Sequence, residues 1–242
     1  MPRADTLLAE RGYFESRAKA REAIEAGLVT ANGRKIKKAS EKVSPEAAIV
    51  AEAPYPWVSR GGVKLAHALD VFGVDPSGRF CLDVGASTGG FTDVLLAKGA
   101  RHVVAIDVGH GQLHPRIAGD ARVTSYEGLD ARALGREHSS EPPSLVVCDA
   151  SFISLSLLLA PVLAQTAEAA EFVGLVKPQF EAGPAAAKKG IVRDAKIHEQ
   201  VCRKIRAELE RLGWRVAGLA PSPIEGGDGN KEFLVWARKP TA

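Results

Sequence analysis

The chain has 242 residues, 45% of them apolar and 25% charged, with 32 Lys and Arg against 29 Asp and Glu. That composition excludes a fibre and a mostly disordered chain, and the length accommodates one or two domains. The formal charge of +3 is unevenly placed: residues 1–50 hold 10 basic and 7 acidic side chains, and residues 51–242 hold 22 of each. A local basic surplus points to a polyanion contact near the N-terminus and to a different task in the balanced remainder. No run approaches about 18 consecutive apolar residues, so no membrane contact is expected. The opening MPRADTLLAERGYFESR lacks an apolar core and does not read as a secretory signal, so a cytoplasmic protein is expected. Cys81, Cys148 and Cys202 lie far apart, the first two inside apolar runs. They read as reduced core residues, not as a disulfide frame or a zinc site.

In chain order, Ser16 caps an expected helix RAKAREAIEAG that stops at Gly27. Asn32-Gly33 between two alternating runs is a hairpin signal, because both turn positions need positive φ. Arg17, Lys19 and Arg21 lie on the helix, and Arg34, Lys35, Lys37 and Lys38 follow the turn. With Arg3 and Arg60 they form the expected RNA-contacting set, the alternative being a solvated charged face. Pro54, Pro56 and Gly61-Gly62 mark a linker. The expected division is 1–54, a linker at 55–62, and a second domain over 63–242.

From residue 63 strands and helices alternate. VKLAHALDVFG, FTDVLLAKG, SLSLLLAPVLAQTAEAA and DAKIHEQVCRKIRAELERLG read as helices. FCLDVG, HVVAIDVG, RVTSY, SLVVCDA, EFVGLVKP, WRVAGLA and KEFLVWARK read as strands. The fold class expected is α/β, Rossmann-like, with a mainly parallel seven-stranded sheet behind a small α+β domain. Residues 181–193 lack periodicity and read as a mobile loop.

The sharpest motif is LDVGASTGGF at 82–91, a strand that enters a helix through a glycine turn. Its G-x-x-x-G-G spacing matches neither the dinucleotide fingerprint nor the phosphate-binding loop. Asp83 before the turn repels a pyrophosphate and suits a cationic amino acid. Asp107, at the end of the next strand, suits ribose hydroxyls. Together they point to S-adenosylmethionine, held by Asp83, Gly85, Ser87, Thr88, Gly89, Gly90, Asp107 and Asp149. Phe91 either lines that pocket or packs its helix. Asp130 either meets the adenine or caps the next turn. His110 and His114 lack a ligand-set spacing, so no metal is expected. Asp149 and Lys177 end apolar strands, where ligands of open α/β sheets gather. Lys64 follows the Gly-Gly pair and Glu232 enters the last strand. By themselves these four residues are equally consistent with two structural ion pairs.

The segments VSRGGVKL (58–65), LDVGASTGGF (82–91), CDASFISL (148–155), LVKPQFE (175–181) and GNKEFLVW (229–236) occur in an order that resembles the TlyA family of rRNA methyltransferases, also called haemolysin A. The front unit resembles an S-four RNA-binding domain and the remainder an FtsJ-type 2′-O-methyltransferase. The linker reads YPWV where the family has RAWV, so the family's arginine is absent. The resemblance implies a Lys64-Asp149-Lys177-Glu232 catalytic tetrad, and the need to remove a hydroxyl proton makes Lys177 the expected general base. It also implies transfer of a methyl group from S-adenosylmethionine to a ribose 2′-hydroxyl, on a cytidine of large-subunit rRNA, free or in an assembled ribosomal subunit. A monomer is favoured. Arg60, Lys64, Lys177, Lys188 and Lys189 are expected to line one face. The alternatives are a membrane-lytic haemolysin or a non-catalytic ribosome-assembly factor.

Overall fold

The computed structural model describes residues 1–183, 186, 190–226 and 229–240. The chain divides into two compact units, Met1–Pro56 and Trp57–Ala242.

The first unit contains α1 (Ala4–Glu10), α2 (Arg17–Glu25), β1 (Val29–Ala31), β2 (Arg34–Lys35) and β3 (Ile49–Ala51). Ser16 caps α2 by accepting the Lys19 N–H at 3.3 Å. Asn32 (φ 50°) and Gly33 (φ 75°) supply the two left-handed turn positions between β1 and β2. β1 is the central strand, because β3 returns to pair with its other edge. Leu7, Leu8, Phe14, Ile24, Val29 and Ile36 form the core. The sequence reading lacks α1 and β3. α1 has seven residues and no capping side chain, and β3 pairs with β1 across a long connection.

The second unit runs α3 (Gly61–Phe72), β4 (Phe80–Val84), α4 (Gly90–Ala97), β5 (His102–Asp107), α5 (Pro115–Ala118), β6 (Val123–Glu127), β7 (Leu145–Cys148), α6 (Leu155–Leu163), β8 (Glu171–Val176), α7 (Pro178–Glu181), α8 (Ala195–Arg211), β9 (Arg215–Pro221) and β10 (Phe233–Arg238). The sheet order is β6-β5-β4-β7-β8-β10-β9. β4 to β8 are parallel, and β10 runs antiparallel to both its neighbours. The alternation of β4 sorts its side chains between two layers. Phe80, Leu82 and Val84 pack in the layer of α6 and α8, and Cys81 packs in the layer of α3 and α4. Asp83 therefore faces the α4 side. The helix expected over 154–170 ends at Leu163, where the Thr166 hydroxyl takes the Leu163 carbonyl at 2.8 Å.

Residues 55–62 do not form a free connector. Tyr55 belongs to the first unit, where Lys19 donates to its phenol oxygen at 3.1 Å. Trp57–Gly62 belong to the second: the Val58 N–H donates to Asp93 Oδ2 at 2.9 Å, and Gly61 begins α3. The Trp57 ring occupies the space a side chain at Gly62 would need. Of the expected loop at 181–193, residues 184, 185 and 187–189 lie outside the described residues, so the expectation for Lys188 and Lys189 does too. Val192 is buried, and its N–H donates to Asn230 Oδ1 at 3.1 Å.

Candidate active site

The chain places β5 and β6 on one side of β4, then crosses to place β7 on the other. The carboxyl end of β4 is therefore a topological switch point, where open α/β sheets bind ligands. A cavity of about 510 Å³ lies there. Gly85 turns the chain out of β4 with φ 80°, and a Cβ on it would stand 2.9 Å from the Ala150 backbone. The ends of β4 and β7 approach closely only because that residue is glycine.

Gly85, Ser87, Asp107, Asp130 and Asp149, all named in the sequence reading for the cofactor, line the cavity. Asp107 shapes its floor by accepting the Ser87 N–H at 2.8 Å and the Gly109 N–H at 2.7 Å. Asp130 takes the capping role considered for it and also borders the cavity. It accepts the Arg132 N–H at 2.9 Å. Arg132, hydrogen-bonded to it, holds its carboxyl down at about 2. Thr88, Gly89 and Gly90 do not line the cavity; they form the turn itself. Thr88 takes the His114 N–H at 3.1 Å, Gly89 stands at the α4 N-terminus, and Gly90 packs against Ser59.

Two further residues named for the cofactor lie away from the cavity. Phe91 is 3% exposed within the α3/α4 layer, because the first turn of α4 directs it into the core. Asp83 is fully buried behind the turn: Oδ2 accepts the Thr92 hydroxyl at 2.6 Å, and Oδ1 has no hydrogen-bond partner among the described residues. Burial, reinforced by the nearby Asp149 and Asp107, pushes its carboxyl up to about 7.

The four polar residues form two ion pairs. Lys177 Nζ lies 2.6 Å from Asp149 Oδ1, and it donates to Ser151 Oγ at 2.7 Å. Lys64 Nζ donates to Glu232 Oε2 at 2.5 Å. The β8–β10 register pairs Val176 with Phe233, which puts Lys177 and Glu232 at adjoining strand ends. A Cβ on Gly61, one turn before Lys64, would lie 3.6 Å from Asp149 Oδ2. That brings the α3 start to the same corner.

Sequence reasoning missed Ser151, which both lines the cavity and touches Lys177, and Gln112, whose side-chain oxygen accepts the Ser87 hydroxyl at 3.1 Å. The polar run GHGQ after β5 carries a signal for the second, and the position two residues after Asp149 carries one for the first. Among the described residues no cluster suited to a metal ion occurs. Of the nine expected RNA contacts, Arg3 and Arg17 flank Asp5, Arg34 pairs with Glu41, and Lys19 lies over the Tyr55 ring. Arg21, Lys35, Lys37 and Lys38 are exposed on the first unit. Arg60, on the second, donates to the Glu225 carbonyl at 2.9 Å.

The sheet order, the antiparallel β10 and the glycine turn at the switch point define a Rossmann-like class I methyltransferase fold. A family described as FtsJ-like methyltransferase matches residues 57–239, and a family described as S4 domain matches residues 2–49. A 16S/23S rRNA (cytidine-2'-O)-methyltransferase TlyA of Mycobacterium tuberculosis is 42% identical over 99% of this chain and 90% of its own. The putative rRNA methyltransferase YqxC of Bacillus subtilis is 41% identical over 98% of this chain and 86% of its own. A solved structure described as a putative hemolysin from Streptococcus thermophilus superposes with a TM-score of 0.80 at 40% identity, covering 99% of this chain and 89% of that one. The chain belongs to the TlyA family, with an S4 domain ahead of an FtsJ-like methyltransferase domain.

Proposed function

We propose that the protein methylates a ribose 2′-hydroxyl of rRNA, a cytidine of the large subunit, with S-adenosylmethionine as donor. In this reading the first unit docks on RNA, the second carries the chemistry, and the protein acts in the cytoplasm. The observation that carries it is that Asp149 and Ser151 both line the switch-point cavity and both hold Lys177.

The cavity fits the donor. Asp107, Asp130 and Asp149 are its acidic lining residues, and Arg132, paired to Asp130, is the one base among the described residues lining it. Such a wall suits a cationic amino acid with a ribose and repels a pyrophosphate. Asp107 is placed for the ribose hydroxyls, and Asp149 for the cationic end. Bound there, S-adenosylmethionine supplies a methyl group on a sulfonium already activated for transfer. The residues of the chain then have to align the hydroxyl and take its proton.

Lys177 is assigned as the base that receives the 2′-hydroxyl proton. A lysine ammonium has three donors and a carboxylate only acceptors, whereas a hydroxyl can donate or accept. Ser151 can therefore partner Lys177 before and after the proton arrives, while Asp149 orients the amine. Lys64, held by Glu232, is placed to steady the ribose oxygen. The test is Lys177→Arg, which keeps the charge and removes the base. Transfer of labelled methyl to ribosomal subunits should fall by at least about 10², with the circular dichroism spectrum retained. Near-normal turnover would sink the assignment.

The name hemolysin occurs on a relative in the same family, and among the described residues no helix is long and apolar enough to cross a membrane.

A further inference from the structure

Asp5 is a buried carboxylate on a unit with a small basic surplus, and it is 0% exposed. Arg3 approaches it as a fork, with Nε 2.9 Å from Oδ1 and a terminal nitrogen 2.9 Å from Oδ2. Arg17, the first residue of α2, reaches Oδ2 at 3.1 Å. The Thr6 N–H donates to Oδ1 at 2.9 Å. The carboxyl is held well below the usual carboxylate range, by Arg3 first and then by Arg17. The two arginine side chains remain 39% and 57% exposed.

The backbone around Asp5 is tied down as well. The Ala4 N–H donates to the Glu41 carbonyl at 2.8 Å, and Arg3 forms a bridge with Lys42. Arg3 and Arg17 belong to different segments of the chain, and one shared carboxylate sets both guanidinium planes. Each guanidinium has five N–H donors, and Asp5 engages two on Arg3 and one on Arg17. The others are left for a ligand, in the planar geometry that matches phosphate oxygens.

We propose that Asp5 is a positioning residue that locks Arg3 and Arg17 into one clamp for the phosphate backbone of RNA. The inference rests on the reading of the chain as an RNA methyltransferase, and it adds a role for an acidic residue on a surface that net charge alone describes as basic. A flexible arginine loses side-chain freedom when it binds, and a preorganised one has already lost it. The negative charge weakens the long-range attraction to RNA, and the order it imposes more than offsets that.

The two effects have opposite signs, which makes the clamp testable. Binding of the full chain to purified large ribosomal subunits is measured between about 50 and 200 mM salt. Net charge alone predicts that Asp5→Asn binds more tightly. The clamp predicts about tenfold weaker binding, with the slope of log K against log salt shallower by about one. Arg3→Lys, which keeps the charge and loses the fork, should weaken binding as well. Equal or tighter binding by folded Asp5→Asn overturns the clamp. If circular dichroism shows that Asp5→Asn does not fold, Arg3→Lys decides, and wild-type affinity there overturns it. Wild-type protein that fails to bind the subunits overturns the RNA reading itself.

Discussion

The Asp5 cluster of the first unit and the two ion pairs at the candidate site of the second are built differently. In the first unit Asp5 is buried while its partners Arg3 and Arg17 keep 39% and 57% of their side chains in solvent. At the candidate active site of the second unit both members are covered: Lys64 and Glu232 are 10% and 3% exposed, and Lys177 and Asp149 are 8% and 19% exposed. An exposed cation keeps its hydration and can meet a phosphate, at a strength that salt screens. A covered pair has lost its water and survives only because each charge has the other. The first arrangement suits a surface that grips, and the second suits a site that handles one proton.

The largest expected effect comes from breaking a covered pair. Lys64→Met leaves the Glu232 carboxylate buried without its cation. Stability should fall by about 3–5 kcal/mol, and methyl transfer by at least about 10² in the molecules that remain folded. Denaturant melts and labelled-methyl assays measure the two separately. Adding Glu232→Leu should restore most of the stability and none of the turnover. Recovered turnover in the double variant would show that the pair is only structural.

A middle-sized effect belongs to Asp83, a covered carboxylate without a cation. Its folded value of about 7 lies above its ordinary 3.8, so ionisation opposes folding. Its contribution to stability is complete below about 4 and is lost as pH rises towards about 7. Asp83→Asn should therefore be more stable than wild type by up to about 4 kcal/mol above that window, and the gap should close near the bottom of it. Melts across that range measure it. A gap of the same size at every pH would contradict the burial argument.

These contrasts also separate what the sequence discloses from what only the fold does. Asp149 and Lys177 are legible because each ends a near-continuous apolar strand, and such strands announce both a buried sheet and its ligand-bearing end. The hairpin at Asn32-Gly33 is legible because its turn chemistry is local. The Asp5 clamp is not, because Arg17 lies twelve residues from Asp5. The strap to Glu41 and Lys42 comes from farther still. Phe91 stays ambiguous in sequence, since a pocket wall and a core position look alike until the first turn of α4 is oriented. Ser87 and Gln112 meet across 25 residues by side chains that no periodicity marks.

The smallest expected effect is Arg21→Ala, and it tests the exposed side of the comparison most cleanly. Arg21 lies one turn after Arg17 on α2, whose buried face is Ala20, Ala23 and Ile24. Residues four apart on a helix share a side, so Arg21 extends the side that Arg17 begins. It is exposed and contributes nothing to that core. Stability should change by no more than about 0.5 kcal/mol. Affinity for ribosomal subunits should fall only a few-fold, and the salt slope should become shallower by about one, the signature of one lost phosphate contact. The loss should shrink as salt rises, since an exposed contact is screened. An affinity loss that stayed constant with salt would mean that Arg21 acts through packing. The division between exposed gripping charges and covered reacting ones would then fail at its simplest case.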